Sequence, residues 1–392
     1  MSSVFAIETV QKRPMDRNLL LATVLLVGIG LALLFSVSYS RADTLFDNPF
    51  YFVQRQGLLM IVGLVGAIIL AGMNIRLIER FIPVVLVINM VLLLLTFVPQ
   101  FGATYLGARR WIVLFGFSFQ PSELLKLTLV LYLGFLLGRK KDQFDDVVNS
   151  LLPPLLMTVL LISLVYLQND LSTAVLLLAN AGILFFIAGV RIRYFISLAV
   201  MAVPILTLLI LSREHRVNRI LSFLEPGVDP MGAGYQVLMS KAALQNGGML
   251  GQGIGMGRYK FGMLPEAHSD FLFAIVGEEL GFVGVLLVMG LFLYLAYRGY
   301  QIAVSADSAF IRFSAFGITC AIVVQALLNM AVVSGAVPAT GITLPFFSSG
   351  GTSALVTLLM CGMLLNFSRY SGAAGGISVG TSAGRSGEVY FG

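Results

Sequence analysis

The chain has 392 residues, of which 58% are hydrophobic and only 11% charged, with a mean hydropathy of +0.93. A soluble domain carries about 25% charged residues, so this composition excludes an ordinary soluble globule and points to a polytopic, all-α membrane protein built as one helical bundle. The net charge of +6 is modest and calls for no nucleic-acid partner. Two histidines and two cysteines, with Cys320 and Cys361 both inside apolar runs, leave no pattern for a metal cluster or a structural disulfide.

Sixteen mostly polar residues precede an apolar run of about twenty, too long for a cleavable signal core of roughly 7–15 residues, so this run reads as an uncleaved first span. Apolar stretches long enough for a hydrocarbon core of roughly 30 Å then predict ten spans. They fall near 19–40, 57–74, 81–98, 122–138, 151–168, 172–190, 194–212, 271–296, 312–334 and 352–368. Only "QNDLS" (168–172) separates the fifth from the sixth, which predicts a tight hairpin. An even count places both termini on one side.

The basic residues choose that side. Lys12, Arg13, Arg17, Arg76, Arg80, Arg139, Lys140, Lys141, Arg191, Arg193, Arg298, Arg312, Arg369 and Arg385 share one set of loops, fourteen of the 25. The opposite short loops hold only Arg41, Arg55, Arg109 and Arg110. Lys and Arg concentrate in short cytoplasmic loops, so both termini are expected in the cytoplasm. Residues 213–270 then form one long extracytoplasmic loop between spans 7 and 8. In "REHRVNRILSFL" the residues Val217, Ile220, Leu221 and Leu224 follow i, i+3, i+4, i+7, an interfacial amphipathic helix, with Arg213, Arg216 and Arg219 on other faces. "YQVLMSKAALQ" (235–245) predicts a second short helix, and the glycine-rich 246–257 a flexible loop that fits no dinucleotide fingerprint. The polar, glycine-rich 371–392 reads as a disordered tail behind a single domain of 1–370.

Scarce charge gathers at four places. In "LPEAHSDFLFAIVGEELGF" (264–282), Asp270 stands directly before an apolar run with Glu266 and His268 beside it and Arg258 and Lys260 upstream. Asp270 or Ser269 suits a helix N-cap, and Asp270 equally suits a general base. Glu278 and Glu279 lie two turns into the span, where an ionised group costs roughly 2.5 kcal/mol or more unless paired, so structural pairing is the expectation. In "QPSELLKL", Glu123 and Lys126 share a helix face at i, i+3, either as an outward-opening polar cavity or as an internal ion pair locking two helices. Arg109 and Arg110 offer two guanidinium forks for phosphate oxygens, whereas the adjacent Trp111 needs only an interfacial-anchor role. "LPFFSSGGTS" (344–353), with Ser349, Gly350 and Gly351, reads as a capped turn opening the tenth span.

Together "GARRWI", "FQPSELLKL", "QNDLSTA", "GYQVLMSKAAL", "GMLGQGIGMG", "LPEAHSDFLFAIVGEELGF" and "LPFFSSGGTS" resemble the SEDS family (shape, elongation, division and sporulation), whose members include FtsW and RodA. The resemblance runs from about residue 55 to 368 and agrees with the ten-span order. "PEAHSDF" and "GQGIGMG" are nearer the division members than the elongation members. The chain departs from the family's usual Q-P-D-[LF]-G-T-A at Asn169 and Ser172, keeping Asp170 and Thr173, and has Ser349 where the family more often has Tyr.

The resemblance implies a peptidoglycan glycosyltransferase of the bacterial inner membrane. Such an enzyme polymerises lipid II onto a nascent lipid-linked glycan beside a class B penicillin-binding protein and other division or elongation proteins. Carried over by position, Asp270 is the catalytic acidic residue, Glu123 and Lys126 the polar pair, and Arg109 and Arg110 the arginine motif. Glu266 and His268 join the substrate-binding set, and Glu278, Glu279, Asp170, Ser349, Gly350 and Gly351 the structural set around the cavity. No cofactor is called for, and a divalent cation is compatible without being indicated. The same residues admit an elongation polymerase of identical chemistry, a lipid II flippase, or a non-catalytic division scaffold. No internal repeat of the transporter kind is visible, and the charges cluster toward one face.

Overall fold

The computed structural model describes residues 13–105, 108–114, 117–140, 147–225 and 232–370. Lys12, Lys141, Arg385 and the expected tail 371–392 lie outside them. The chain folds as α1 (Arg17–Phe46), α2 (Tyr51–Gly72), α3 (Ile75–Leu95), β1 (Gly102–Tyr105), β2 (Ala108–Leu114), β3 (Phe117–Phe119), α4 (Pro121–Lys140), α5 (Leu152–Leu167) and α6 (Leu171–Ile187). It continues with α7 (Ile192–Leu211), α8 (Glu214–Leu224), α9 (Ala233–Gly247), α10 (Leu272–Val304), α11 (Ala309–Val333) and α12 (Gly351–Ser368). Among the described residues nine helices are long and apolar enough to cross a membrane. The expected sixth span is the shorter apolar α6, of 17 residues. The amphipathic α8 and the short α9 form where the pattern in the long loop predicts them.

The all-α expectation is corrected by a three-stranded antiparallel sheet between α3 and α4. Residues 102–119 are too short for a span and rich in Trp, Tyr, Ile, Val and Phe, which suit a pleated surface, with Gly107 and Gly116 punctuating the run. The register shifts between Ala103 and Thr104, where Ala103 faces Trp111 and Thr104 faces Arg109. Arg110 is therefore the extra residue of a β-bulge, which re-aims its side chain.

The helices pack in the pattern lipid demands, with a buried stripe inward and apolar side chains outward. On α3, Ile78, Ile82, Leu86, Asn89 and Leu93 make one buried stripe at i+3 and i+4 spacing. Buried residues dominate α4, α11 and α12, which form the centre, whereas the 18-residue apolar core of α7 carries none. Small residues bring α2 and α12 into backbone contact, since a Cβ on Gly362 would stand 2.5 Å from Ala67 Cα. Arg13 N donates to Arg369 O and Asp16 N to Ser368 Oγ, so the bundle starts and finishes at the same end. Arg298 pairs with Asp16 there.

The span that follows Asp270 is two helical pieces joined at Gly281, with φ 67° and ψ −167°. At this joint the 248–253 loop pairs by backbone with α10: Gln252 N donates to Glu278 O, Gly253 N to Glu279 O, Phe282 N to Gly248 O and Val283 N to Met249 O. A Cβ on Gly251 would sit 2.2 Å from Glu279 O, and one on Gly281 2.3 Å from Gly251 N. The glycines expected to make a flexible loop instead permit close backbone approach and satisfy a broken helix.

Candidate active site

Four helices begin at one cavity of about 380 Å³. Lining residues come from the starts of α4 and α6, from Glu266, His268, Ser269 and Asp270 before α10, and from Ser349 and Gly350 before α12. Helix N-termini carry partial positive charge and point backbone donors outward, so their convergence favours an anion. Most residues expected at the site meet here: Arg110, Glu123, Lys126, Asp170, Glu266, His268, Asp270, Ser349 and Gly350. Trp111 also lines the cavity, beyond its expected role as an anchor.

Asp270 sits at the end of a turn in which Ser269 N donates to Glu266 O and Ser269 Oγ to Glu266 Oε2 at 2.9 Å. Glu266 holds φ 55°, a left-handed conformation disfavoured for a side chain of its kind and held here by those bonds. Asn329 Nδ2 donates to Asp270 O at 2.8 Å and Ile342 O at 2.7 Å, clamping the start of α10 to the 341–343 wall. The cap expectation does not hold: the residue before α10 is Phe271, and no side chain caps the helix. The short Asp270 side chain faces the cavity beside Gly341, whose added Cβ would lie 3.4 Å from Oδ2. Burial first, then the neighbouring Glu266 charge, pushes the Asp270 carboxyl up from its ordinary range to about 6, against the pull of Arg219 and Arg110. A carboxylate poised there is ionised at neutral pH and basic enough to take a proton.

Glu123 and Lys126 pair at 2.5 Å within α4, so this ion pair itself joins no two helices, and both line the cavity. Lys126, 3% exposed, also donates to Gln325 Oε1 at 2.5 Å, and Gln325 Nε2 donates to Thr343 O at 2.9 Å. The ammonium is thus fixed to α4, α11 and the 341–343 wall. His268 approaches Glu266 at 3.9 Å and packs its ring, tilted by 50°, against Phe52 at 5.0 Å between centroids, while its carbonyl accepts from Ser349 N at 3.0 Å. Ser349 therefore acts through its backbone. α12 opens at Gly350 with no side-chain cap, so the capped-turn expectation is corrected; Gly351 begins the helix outside the cavity lining. What shapes this turn is Phe346 at φ 70° and the Ser348 hydroxyl, which accepts from Leu344 N at 2.9 Å.

The expected arginine pair is separated. Arg110, re-aimed by the bulge, lines the cavity, pairs with Asp170 at 3.5 Å and donates to Asn169 O, whereas Arg109 is exposed and outside the lining. Asp170 caps α6 through Thr173 N and accepts from Gln120 Nε2 at 3.1 Å. Asn169 stands at φ 64°. Proline, locked near −65°, cannot take that conformation, so the departure at this position comes with a turn of its own.

Glu278 and Glu279 do not enter the cavity. Glu278, 0% exposed, accepts from Asn246 Nδ2 at 3.0 Å, Arg258 N at 2.6 Å and Tyr259 N. Glu279, 1% exposed, pairs with Lys260 at 2.7 Å and accepts from Ser36 Oγ at 2.8 Å. The upstream cations expected beside Asp270 are thus committed elsewhere: Lys260 to Glu279, while the exposed Arg258 gives its backbone amide to Glu278. Arg219, expected on a polar face of α8, stands outside the cavity lining but donates to Thr340 O at 3.4 Å, next to Gly341 of the cavity wall. Among the described residues no three His, Cys, Asp or Glu side chains converge as a metal site.

The cell cycle protein family FTSW_RODA_SPOVE matches residues 17–373. A relative from Geobacter sp. strain M18, called a probable peptidoglycan glycosyltransferase FtsW, is 38% identical over 92% of this chain and 98% of its own length. Stage V sporulation protein E of Bacillus subtilis is 37% identical over 93% of this chain and 99% of its own. A solved chain from a peptidoglycan synthase complex that coordinates polymerization and crosslinking superposes with a TM-score of 0.74 at 28% identity, covering 91% of this chain and 98% of that one. The rod shape determining protein RodA of Thermus thermophilus gives 0.68 at 27% identity over the same share of each. The chain belongs to the FtsW, RodA and SpoVE family of cell cycle proteins.

Proposed function

We propose that this protein is a peptidoglycan glycosyltransferase that polymerises lipid II, serving the septal wall in cell division. The observation that carries the reading is Asp270, raised to about 6, in a cavity that also holds Arg110, Lys126 and the starts of four helices. The C4 hydroxyl of lipid II, the acceptor, gives its proton to Asp270 as its oxygen attacks C1 of the lipid-linked glycan. The C1–O bond to the diphosphate breaks with inversion, forming a β-1,4 link and releasing undecaprenyl diphosphate. A diphosphate leaves without a strong acid, so fixed cations and helix N-termini are the groups that stabilise the departing charge.

The finer topology belongs to the same reading. Ten spans include α6, both termini are cytoplasmic, and the 213–270 loop, like the cavity, faces outward. The loop distribution of Lys and Arg and the bonds joining residues 13–16 to 368–369 support it. The protein then resides in the bacterial cytoplasmic membrane as one domain to about residue 370, with a class B penicillin-binding protein as partner.

The test is a glycan-chain gel with purified full-length protein and lipid II, with and without a candidate class B partner. Polymer that depends on Asp270 is the expected result. Lipid II scrambling in proteoliposomes with no polymer would overturn the reading in favour of transport, and division supported by an Asp270→Asn variant would favour a scaffold.

A further inference from the structure

The charge of the cavity leaves a deficit for any anionic ligand. Four carboxylates line it (Glu123, Asp170, Glu266 and Asp270) against two cations, Arg110 and Lys126. Lys126 is already neutralised by Glu123 at 2.5 Å, and Arg110 faces Asp170 at 3.5 Å. A diphosphate entering this space needs another cation at its edge.

The amphipathic helix α8 supplies one. Its Arg216 turns inward, donating to Leu209 O at 2.6 Å and to the Tyr166 hydroxyl at 3.2 Å, which fastens α8 to the ends of α7 and α5. One turn on, Arg219 is exposed, and its Nη1 donates to Thr340 O at 3.4 Å. That bond uses one of five guanidinium donors. Thr340 O also accepts from Ser172 Oγ at 2.7 Å, and the next residue, Gly341, lines the cavity against Asp270. Arg219 is thus tethered to the strip of backbone that borders the reacting carboxylate. Both Arg219 and Arg110 lie near enough for their charges to act on Asp270. Among the described residues no ion pair commits Arg219 elsewhere.

We propose that Arg219 binds the diphosphate of the polyprenyl-linked sugar, forming with Arg110 a two-arginine clamp at the mouth of the Asp270 cavity. The clamp rests on the glycosyltransferase reading for its ligand, and it fills the place expected for the Arg109–Arg110 pair with one residue from a strand bulge and one from an amphipathic helix. Each guanidinium fork matches a pair of oxygens on one phosphate, so two arginines engage both phosphates of a diphosphate, whereas a monophosphate fills only the Arg110 side of the clamp.

Full-length protein in nanodiscs is titrated with undecaprenyl diphosphate and, separately, undecaprenyl monophosphate. Arg219→Gln should weaken the diphosphate roughly 10- to 100-fold and leave the monophosphate nearly unchanged, with Arg219→Lys intermediate. Arg213→Ala, an exposed neighbour at the start of α8, serves as the control for charge alone and should bind as wild type. Diphosphate binding by a folded Arg219→Gln variant equal to wild type overturns the clamp, and so does an equal loss of both ligands. The two readings fail separately. Polymer from lipid II with Arg219 indifferent sinks the clamp alone, and an Arg219-dependent preference for diphosphate without polymer sinks the polymerase alone.

Discussion

Two groups of carboxylates, eight residues apart on one stretch of chain, are built to opposite ends. Around Glu278 and Glu279 every recorded bond closes the charge off: backbone amides, Asn246, Ser36 and Lys260 surround two side chains that water does not reach. Around Asp270 the structure leaves the carboxylate facing a cavity, raises it to about 6 and clamps only its backbone. A fully satisfied buried ion holds elements together, and an under-satisfied one at a cavity wall is free to exchange a proton.

The sharpest way to break this contrast is to remove both charges in turn. Asp270→Asn should lower lipid II polymerisation by about 10²- to 10⁴-fold, read on a glycan-chain gel, while the fold gains on the order of 1–2 kcal/mol at pH 7 because an unfavourable ionisation disappears. Glu279→Gln should do the reverse. Leaving Lys260 buried without its partner costs about 3–5 kcal/mol, seen as a large drop in melting temperature in detergent, with activity falling only as folded protein is lost. If Glu279→Gln kept its stability and lost its rate, the division of labour between the two groups would be wrong.

Titration separates them more gently. The Asp270 carboxyl must be ionised to act, so the rate should fall about tenfold per pH unit below about 6 and level off above it. Its effect on stability runs the other way. With the folded value raised above the ordinary 3.8, its contribution is fully present below that value and is lost as pH rises through about 6. Thermal unfolding from pH 4 to 8 should show this component vanish in Asp270→Asn.

The smallest expected effect concerns the cation side of the cavity. Asn169→Pro forbids the positive φ that turns the Asn169 carbonyl toward Arg110, whereas Asn169→Gly allows it. The proline variant should raise the KM for lipid II several-fold with kcat little changed, and the glycine variant should resemble wild type. Equal loss in both would mean that the side chain, not the turn, matters.

Much of the architecture was legible in the residues, because lipid imposes simple arithmetic on a chain. Nine of the ten expected runs became helices long and apolar enough to cross a membrane among the described residues, most with bounds shifted by a few residues; the other became the shorter apolar α6, and the i, i+3, i+4, i+7 pattern of 217–224 became α8. Pairing of Glu123 with Lys126 follows from helical spacing alone. The sheet was missed because attention to length discards any segment too short to span, and the Arg109–Arg110 pair was misjudged because adjacency in sequence says nothing about a strand bulge.

What the sequence by itself determined is the inventory: the spans, the few charges within them, and the stretch that carries Asp270. Only the tertiary structure decided who faces whom. It turned Lys260 to Glu279, brought Arg219 to Thr340 O next to the wall beside Asp270, and made the 248–253 loop a backbone joint with α10, Gly251 against Gly281. The reason is physical. Local periodicity fixes which face of an element is apolar, but a charge finds its partner across elements, where burial and backbone geometry choose among neighbours far apart in the chain.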